Sequence, residues 1–247
     1  MPDALTGNRA GLSAPEVGDG LRLPERGYRA LRSAIRGLSL YPGQMVLEQE
    51  AADALGMSRT PVREALTRLE SEGLVRRMPR RGFAIAPLEA AAMREVYEIV
   101  EGLESMAVGL AAGRADESML RPLDESIARQ QLALERDDLT AWVAEDERFH
   151  ALLLDLCGNT RLRQLVESYD DHLHRARLLT IHARPKPVRS TAGHQAVLAA
   201  IRVGDEQGAR ALHQTHRRRG REEILAILQH MGSGGRAAVG GTADERR

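Results

Sequence analysis

The chain is poor in the residues that build disulfides, thiolate metal sites and aromatic surfaces. Cys157 is its only cysteine, which excludes an intrachain disulfide and limits a metal site to one cysteine ligand. Any metal would therefore be held by histidine and carboxylate side chains. Aromatic residues make up 3% of the chain, which argues against a base-stacking platform for single-stranded DNA or RNA. Duplex DNA read by a helix fits this composition better.

Long hydrophobic runs are also missing. No apolar run approaches the roughly 18 residues of a membrane-spanning helix, and the start of the chain lacks the apolar segment of a signal peptide. We expect a cytoplasmic protein without a membrane partner. With 247 residues and 43% hydrophobic content, the chain can form one or two domains with a sizeable core. Its formal net charge is zero, so a phosphate-binding surface would have to be a local cluster of charge.

The stretch Met57–Ala86 has the pattern of a helix-turn-helix followed by a β-hairpin. Thr60 can cap a helix whose first position is Pro61, since the N–H that proline lacks has no partner there. A shorter apolar stripe upstream ends at Gly56, the tight turn that two steeply crossing helices require. The apolar stripe of the second helix consists of Val62, Ala65, Leu66 and Leu69.

A basic hairpin follows this helix. Residues 75–77 and 82–85 indicate two strands around a turn that contains Pro79, which together predict a wing. Between Ser58 and Arg81 the chain holds seven arginines and three glutamates, an excess of four positive charges. A charged helix face alone is often only a solvated face, but this combination favours binding to DNA. The residues predicted to contact duplex DNA are Arg59, Thr60, Arg63, Arg81 and Gly82.

The rest of the chain is predicted to be helical. Turn residues divide it into about six helices, at 88–112, 116–136, 139–156, 159–182, 187–203 and 205–230. The predicted fold class is mostly α, with an N-terminal winged helix-turn-helix domain and a C-terminal antiparallel helical bundle. The predicted domains are a disordered arm at 1–23, the winged helix at 24–86, the all-helical domain at 87–231 and a flexible tail at 232–247.

Three histidines and one aspartate occupy positions of apolar stripes in the predicted bundle. Asp146 and His150 lie one helical turn apart, His194 shares a stripe of the next-to-last helix, and His216 lies on the last. One such residue alone is more often a hydrogen-bonded core residue, but four from three helices favour a shared divalent cation. Zinc suits these ligands best, and nickel, manganese and iron are alternatives. The histidines predicted to lie off these stripes are His172, His174, His182, His213 and His230.

Both parts of the chain resemble known bacterial regulators. The run Ser58-Arg59-Thr60-Pro61-Val62-Arg63-Glu64-Ala65-Leu66, with Glu72-Gly73-Leu74 and Arg81-Gly82, resembles the winged helix of GntR-type transcriptional regulators. The pattern Asp146-x-x-Phe149-His150, His194 before Ala200-Ile201-x-x-Gly204-Asp205, and His216 resembles the FadR-type C-terminal (FCD) effector domain. The two resemblances cover about residues 26–230. They imply a dimer-forming domain whose metal offers open positions to small carboxylates.

The chain departs from that second pattern at Val100, where many relatives carry an inward arginine that can pair with an effector carboxylate. Arg175 and Arg177 are candidates to supply the missing charge, and the alternative is that both are exposed helix arginines.

The predicted function is ligand-responsive transcriptional regulation. A homodimer would bind a pseudo-palindromic DNA operator, with repression as the default, and a small carboxylate effector at the metal would alter operator affinity. One alternative is a metal-dependent enzyme that acts on a small organic acid and is fused to a DNA-binding head. The sequence offers no separate acid–base partner for such chemistry, so no catalytic residue is predicted. A third alternative, architectural DNA binding, would need no inward-facing metal cluster.

Overall fold

The computed structural model describes residue 12 and residues 20–237. The chain forms two compact units, Met1–Leu88 and Glu89–Arg247. Most of the predicted N-terminal arm, 1–23, and residues 238–247 of the predicted tail lie outside the described residues. Every helix in the described part is too short or too polar to cross a lipid bilayer.

The first unit is a winged helix-turn-helix, as predicted. Its helices are α1 (Leu23–Arg36), α2 (Glu48–Leu55) and α3 (Arg59–Ser71), and its strands are β1 (Met45–Val46), β2 (Val75–Met78) and β3 (Gly82–Ile85). The strands form an antiparallel sheet in the order β1-β3-β2. Leu31, Leu66 and Phe83 are among the buried side chains that join the helices to the sheet. Gly56 ends α2 with a left-handed φ of 62°, the turn that was predicted there.

Two details of this unit differ from the prediction. The helix α3 begins at Arg59 with Ser58 at the N-cap position, so the prediction of a cap at Thr60 was wrong. Pro61 is the third helical residue, and it is tolerated because the first four N–H groups of a helix have no partner within it. Strand β1 was not predicted, since two residues are too few to show an alternating pattern.

The second unit is a helical bundle. Its helices are α4 (Ala90–Ala112), α5 (Glu117–Glu135), α6 (Leu139–Leu156), α7 (Thr160–Glu167), α8 (Asp170–Thr180), α9 (Val188–Arg202) and α10 (Glu206–Ala237), with a 3₁₀ turn at Ile181–Ala183. Asp116, Asp138 and Asn159 cap α5, α6 and α7 by accepting a backbone N–H. The core includes Val108, Leu123, Phe149 and Leu198.

Within the described residues the bundle has seven α-helices rather than six. The predicted helix 159–182 is broken at Ser168, whose hydroxyl donates to the carbonyl of Leu165, and a new helix starts with Asp170 and Asp171 in its first turn. Helix α10 continues to Ala237, into the segment predicted to be a flexible tail. Glycine lowers helix propensity without forbidding the helix, so the glycines from 232 onward did not end it.

Candidate metal centre and nucleic-acid interface

The structure brings the four predicted metal ligands together in the bundle. Asp146 and His150 on α6, His194 on α9 and His216 on α10 each offer one ligand atom, and these atoms all lie within 4.8 Å of one another. All four side chains are buried. The ring of Phe149 stacks on that of His194 with centroids 4.1 Å apart, which fixes the orientation of the imidazole. Residues that are distant in sequence thus form one polar cluster inside an apolar core.

Several ring nitrogens of this cluster have a lone pair that accepts no hydrogen bond from the part of the chain that the structure describes. Nδ1 of His194 lies 2.8 Å from Oε1 of Gln130, an oxygen that can only accept, so Nδ1 carries the proton. The lone pair of His194 Nε2 then faces Nε2 of His216 at 3.1 Å and Oδ1 of Asp146 at 3.5 Å. Among the described residues, neither ring nitrogen of His150 has a hydrogen-bond partner. Buried polar atoms without partners are rare in proteins, and a cation ligated by one of the two His150 nitrogens would account for that one.

The environment keeps the imidazoles neutral at neutral pH. Burial lowers the pKa of His150 and of His216 well below the usual 6.5. Burial also lowers the pKa of His194, to about 4, although the charge of Asp146 opposes the shift. A metal binds only the neutral form of the ring. The cluster is therefore in the state that accepts a divalent cation, and its one carboxylate and three imidazole nitrogens fit zinc, nickel, manganese or iron.

Acid is expected to destabilise the chelator-treated bundle. The folded pKa of His194, about 4, is below its ordinary value of 6.5, so the unfolded chain binds a proton in this range that the folded chain does not. The stability contributed by neutral His194 is present above pH 6.5 and is lost as the pH falls towards 4, by about 3 kcal/mol. Urea unfolding followed by the fluorescence of Trp142, the only tryptophan, measures this loss.

Two variants test whether His194 contributes to this loss of stability. His182 is exposed, so His182→Gln should keep the pH profile of the wild type, whereas His194→Gln should make it less steep between pH 6.5 and 4, with His150 and His216 accounting for the remaining slope. Glu104 adds a second loss of stability only below pH 4.5, because its folded pKa is about 2. An unfolding free energy that is constant from pH 7 to pH 4 would contradict the burial of neutral histidines.

A second buried polar group adjoins the cluster, and the sequence did not predict it. Both oxygens of Glu104 on α4 accept hydrogen bonds from the guanidinium of Arg217 on α10. Oε2 of Glu104 also lies 3.4 Å from Nε2 of His213 and 3.7 Å from Nδ1 of His150. Burial raises the pKa of the Glu104 carboxyl, but the charge of Arg217 and the contact with His213 outweigh it and hold the pKa at about 2. Glu104 is therefore ionised, with Arg217 as its counter-charge.

The prediction that His213 lies off the buried stripe of its helix was wrong. Its side chain is fully buried and contacts Glu104. His213 and His216 are three residues apart, a spacing that places both on one side of α10. Glu104 carried a similar signal, since it follows Tyr97 and Val100 at intervals of three and four along the buried face of α4.

A cavity of about 30 Å³ is lined by arginines and by two of the four ligands, Asp146 and His216. Its lining includes Asp146, His216, Tyr97, Arg177, Arg184, Arg217 and Arg221. Nε of Arg177 lies 3.2 Å from Oδ2 of Asp146, so the structure places this predicted residue at the site. Arg175 is also buried, but it lies outside the cavity lining, and the nearby charge is that of Asp171. Neither arginine is exposed. The positive charge around the cavity comes from arginines of α8 and α10 and from Arg184, whereas the uncharged Val100 contributes none.

The predicted DNA-contacting residues lie at two neighbouring points of the first unit. Arg59, Thr60 and Arg63 are exposed on the first turns of α3, and Arg81 is exposed at the turn of the wing. Gly82 has a φ of 83°, and a Cβ at this position would lie 2.8 Å from the carbonyl oxygen of Val46, so only glycine fits there.

Glu48 on α2 is a residue of this surface that the sequence did not reveal. Its carboxylate lies 2.8 Å from Nη2 of Arg63 and 3.3 Å from Nη2 of Arg59. The hydrogen bond from Arg63, together with that from Arg59, lowers the pKa of Glu48 despite some desolvation. One carboxylate thus holds both arginines side by side at the start of α3.

Comparison with known proteins places both units in families. Residues 23–85 match the family described as bacterial regulatory proteins, gntR family. Residues 95–219 match the FCD domain, which covers half of the chain. These matches confirm the two resemblances in the sequence.

Similar proteins include transcriptional regulators of other bacteria. An uncharacterized HTH-type transcriptional regulator in an unstable DNA locus of Streptomyces ambofaciens is 32% identical over 82% of this chain and 85% of its own length. The HTH-type transcriptional repressor RspR of Escherichia coli is 26% identical over 82% of this chain and 89% of its own. The structure of E. coli McbR/YncC has the same fold, with a TM-score of 0.70 and 24% identity over 85% of this chain and 99% of that one. The chain belongs to the GntR family of bacterial transcriptional regulators and joins a GntR helix-turn-helix domain to an FCD domain.

Proposed function

We propose that this regulator is a metal-dependent, carboxylate-responsive repressor that binds a pseudo-palindromic operator as a homodimer in the cytoplasm. The observation that carries the proposal is the buried cluster of Asp146, His150, His194 and His216 beside a cavity lined by arginines. Two DNA-binding units on one operator gain effective concentration that a single unit lacks, which supports a dimer. The similarity to RspR, which is named a repressor, supports repression.

A divalent metal would be held by the Asp146 carboxylate and by the imidazoles of the three histidines. Zinc suits this ligand set best, and nickel, manganese and iron suit it as well. The metal would offset the charge of the buried aspartate and supply a Lewis-acidic position for an oxygen of the effector. The contact of Arg177 with Asp146 and its position in the cavity lining support a role in effector binding, whereas the position of Arg175 does not support such a role.

Regulation requires that the effector bind the DNA-competent and the free states with different affinities, because equal affinity shifts no equilibrium. The alternative of a metal-dependent enzyme has less support. The relatives are named as regulators, and Glu104, which contacts His150, is held ionised by Arg217 with a pKa of about 2 and so is a poor base at neutral pH.

Arg63→Ala is expected to weaken operator binding by about 1–3 kcal/mol, because a guanidinium at the start of a recognition helix can bind the O6 and N7 atoms of guanine bidentately. The operator can be selected from random duplexes with the wild-type protein. Fluorescence anisotropy at fixed salt then measures the affinity with chelator, with zinc, and with zinc plus a small carboxylate. The carboxylate is expected to change the affinity only when zinc is present.

Two further variants separate base reading from charge. Arg63→Lys keeps the charge without the guanidinium fork, so it should lose specificity and keep affinity for unrelated duplexes. Arg29→Ala removes an exposed arginine of α1 that is paired with Glu25, and it should leave operator affinity within a factor of about two. Unchanged operator affinity in Arg63→Ala would refute the docking of α3, and an identical affinity with and without carboxylate on zinc-loaded protein would refute effector control.

A further inference from the structure

Three side chains of the cavity lining, those of Tyr97, Arg184 and Arg221, have buried donors without a hydrogen-bond partner among the described residues. Within the described part of the chain, Nε of Arg184 and the hydroxyl of Tyr97 have no hydrogen-bond partner, and neither does the terminal Nη2 of Arg184. Both residues line the cavity that also exposes Asp146 and His216. Nε and Nη2 form one edge of the guanidinium, and that edge binds a carboxylate through two parallel hydrogen bonds. Such donors are rare, and a water molecule or a ligand in the cavity would supply the acceptor.

The other three arginines of the lining already have carboxylate partners. Arg177 contacts Asp146 at 3.2 Å, and Arg221 contacts Glu101 at 2.9 Å. Arg217 is bound to Glu104. Within the described part of the chain, Arg184 has no ion pair of its own, although the charge of Glu223 acts on it from farther away. A divalent cation on the four ligands would add two positive charges to this region, and a monocarboxylate would offset only one of them.

We propose that the effector is a short-chain dicarboxylate. One carboxylate lies at the metal cluster, and the other lies on the Nε and Nη2 edge of Arg184 with the Tyr97 hydroxyl as a further donor. This inference rests on the proposed function, because it assigns the first carboxylate to the metal site and adds a second anionic subsite. The two subsites line the same cavity, so one small molecule can reach both.

The size of the cavity adds a conformational requirement. Its volume of about 30 Å³ holds one or two water molecules, which is less than a dicarboxylate needs. The lining must therefore move outward when the ligand binds. Arg184 follows the 3₁₀ turn Ile181–Ala183 and precedes α9, and it is only partly buried. It belongs to a connecting segment, which can move with less loss of packing than a helix of the core.

Isothermal titration of the zinc-loaded full-length protein tests the inference. The ligands are malonate, succinate, glutarate and adipate, each compared with the monocarboxylate of the same carbon number: propionate, butyrate, valerate and hexanoate. At least one dicarboxylate is expected to bind tenfold or more tightly than its partner. Arg184→Gln should remove this preference and leave the monocarboxylate affinity unchanged. Arg189→Gln, which changes an exposed arginine nearby on α9, should keep the preference.

The outcomes separate this inference from the proposal on which it rests. Carboxylate binding without any preference for dicarboxylates would overturn the second subsite and leave the carboxylate-responsive regulator intact. A preference that persists in Arg184→Gln would overturn the role of Arg184. Binding of neither class to zinc-loaded protein would overturn both proposals. If Arg184→Gln does not fold, as judged by Trp142 fluorescence, Tyr97→Phe replaces it and is expected to weaken the preferred dicarboxylate at least threefold.

Discussion

Replacement of His216 by alanine is expected to weaken zinc binding by the full-length protein at least about a hundredfold. Loss of an outer partner of a ligand alone costs roughly 10–100-fold in metal affinity, and loss of a ligand should exceed that. His216 approaches Nε2 of His194 to 3.1 Å, so its removal also withdraws one of the three nitrogens around the proposed cation. Competition with a chromophoric chelator measures the affinity.

Metal binding is also expected to stabilise the folded bundle by linkage. At a free zinc concentration of about a thousand times the Kd, the stabilisation is about 4 kcal/mol, and it should appear as a higher melting temperature of the Trp142 signal. His182→Ala, an exposed histidine, is the matched control and should keep both the affinity and the shift. His213 is unsuitable as a control, because it is buried against Glu104. Equal zinc affinity of His216→Ala and the wild type would rule out the four-ligand site.

Removal of Arg217 is expected to destabilise the bundle by about 3–5 kcal/mol, because Arg217→Met leaves the buried Glu104 without a counter-charge. Both oxygens of Glu104 are hydrogen-bonded to this guanidinium, and both side chains are buried. Urea unfolding at pH 7, followed by Trp142 fluorescence, gives the change in the free energy of unfolding.

A double variant and a surface control isolate the effect of the charge. Glu104→Gln combined with Arg217→Met removes both charges, so it should recover much of the loss, with a coupling of a few kcal/mol. Arg202→Met breaks exposed ion pairs with Glu117 and Asp124 and should change stability by less than about 1 kcal/mol. A loss in Arg217→Met as small as that in Arg202→Met would show that Glu104 is not held by this pair.

The fold and four residues of the candidate centre were predictable because each depends on a short-range pattern. The wing is predicted by the strand-forming residues on either side of Pro79. Asp146 and His150 are recognisable because they lie four residues apart on an otherwise apolar stripe. The break at Ser168 was not predictable, since it contains neither glycine nor proline. The turn at Gly56 was predictable, because only a glycine adopts its positive φ at little cost.

The polar group of Glu104 and Arg217 could not be predicted from the sequence, because its members are far apart in the chain. Glu104 and Arg217 are 113 residues apart, and only the packing of α4 against α10 identifies them as a pair. The cavity could not be predicted from the sequence for the same reason. Tyr97 and Arg184 belong to different elements, and neither is part of a recognisable pattern in its own segment. The shared contact of Glu48 with Arg59 and Arg63 likewise depends on the crossing of α2 and α3.

The position of Glu48 affects how such a regulator would search a chromosome. Its carboxylate offsets part of the charge of Arg59 and Arg63, so the free protein attracts phosphates less strongly than two unpaired arginines would. Sequence-independent affinity for DNA comes from phosphate neutralisation and the release of counterions, and it is reduced accordingly. In the proposed docking of α3, residence on the great excess of unrelated sites would become shorter, and a guanine would replace the carboxylate as the acceptor of these arginines at an operator. Glu48 would therefore limit the time that the regulator spends on unrelated DNA during its search.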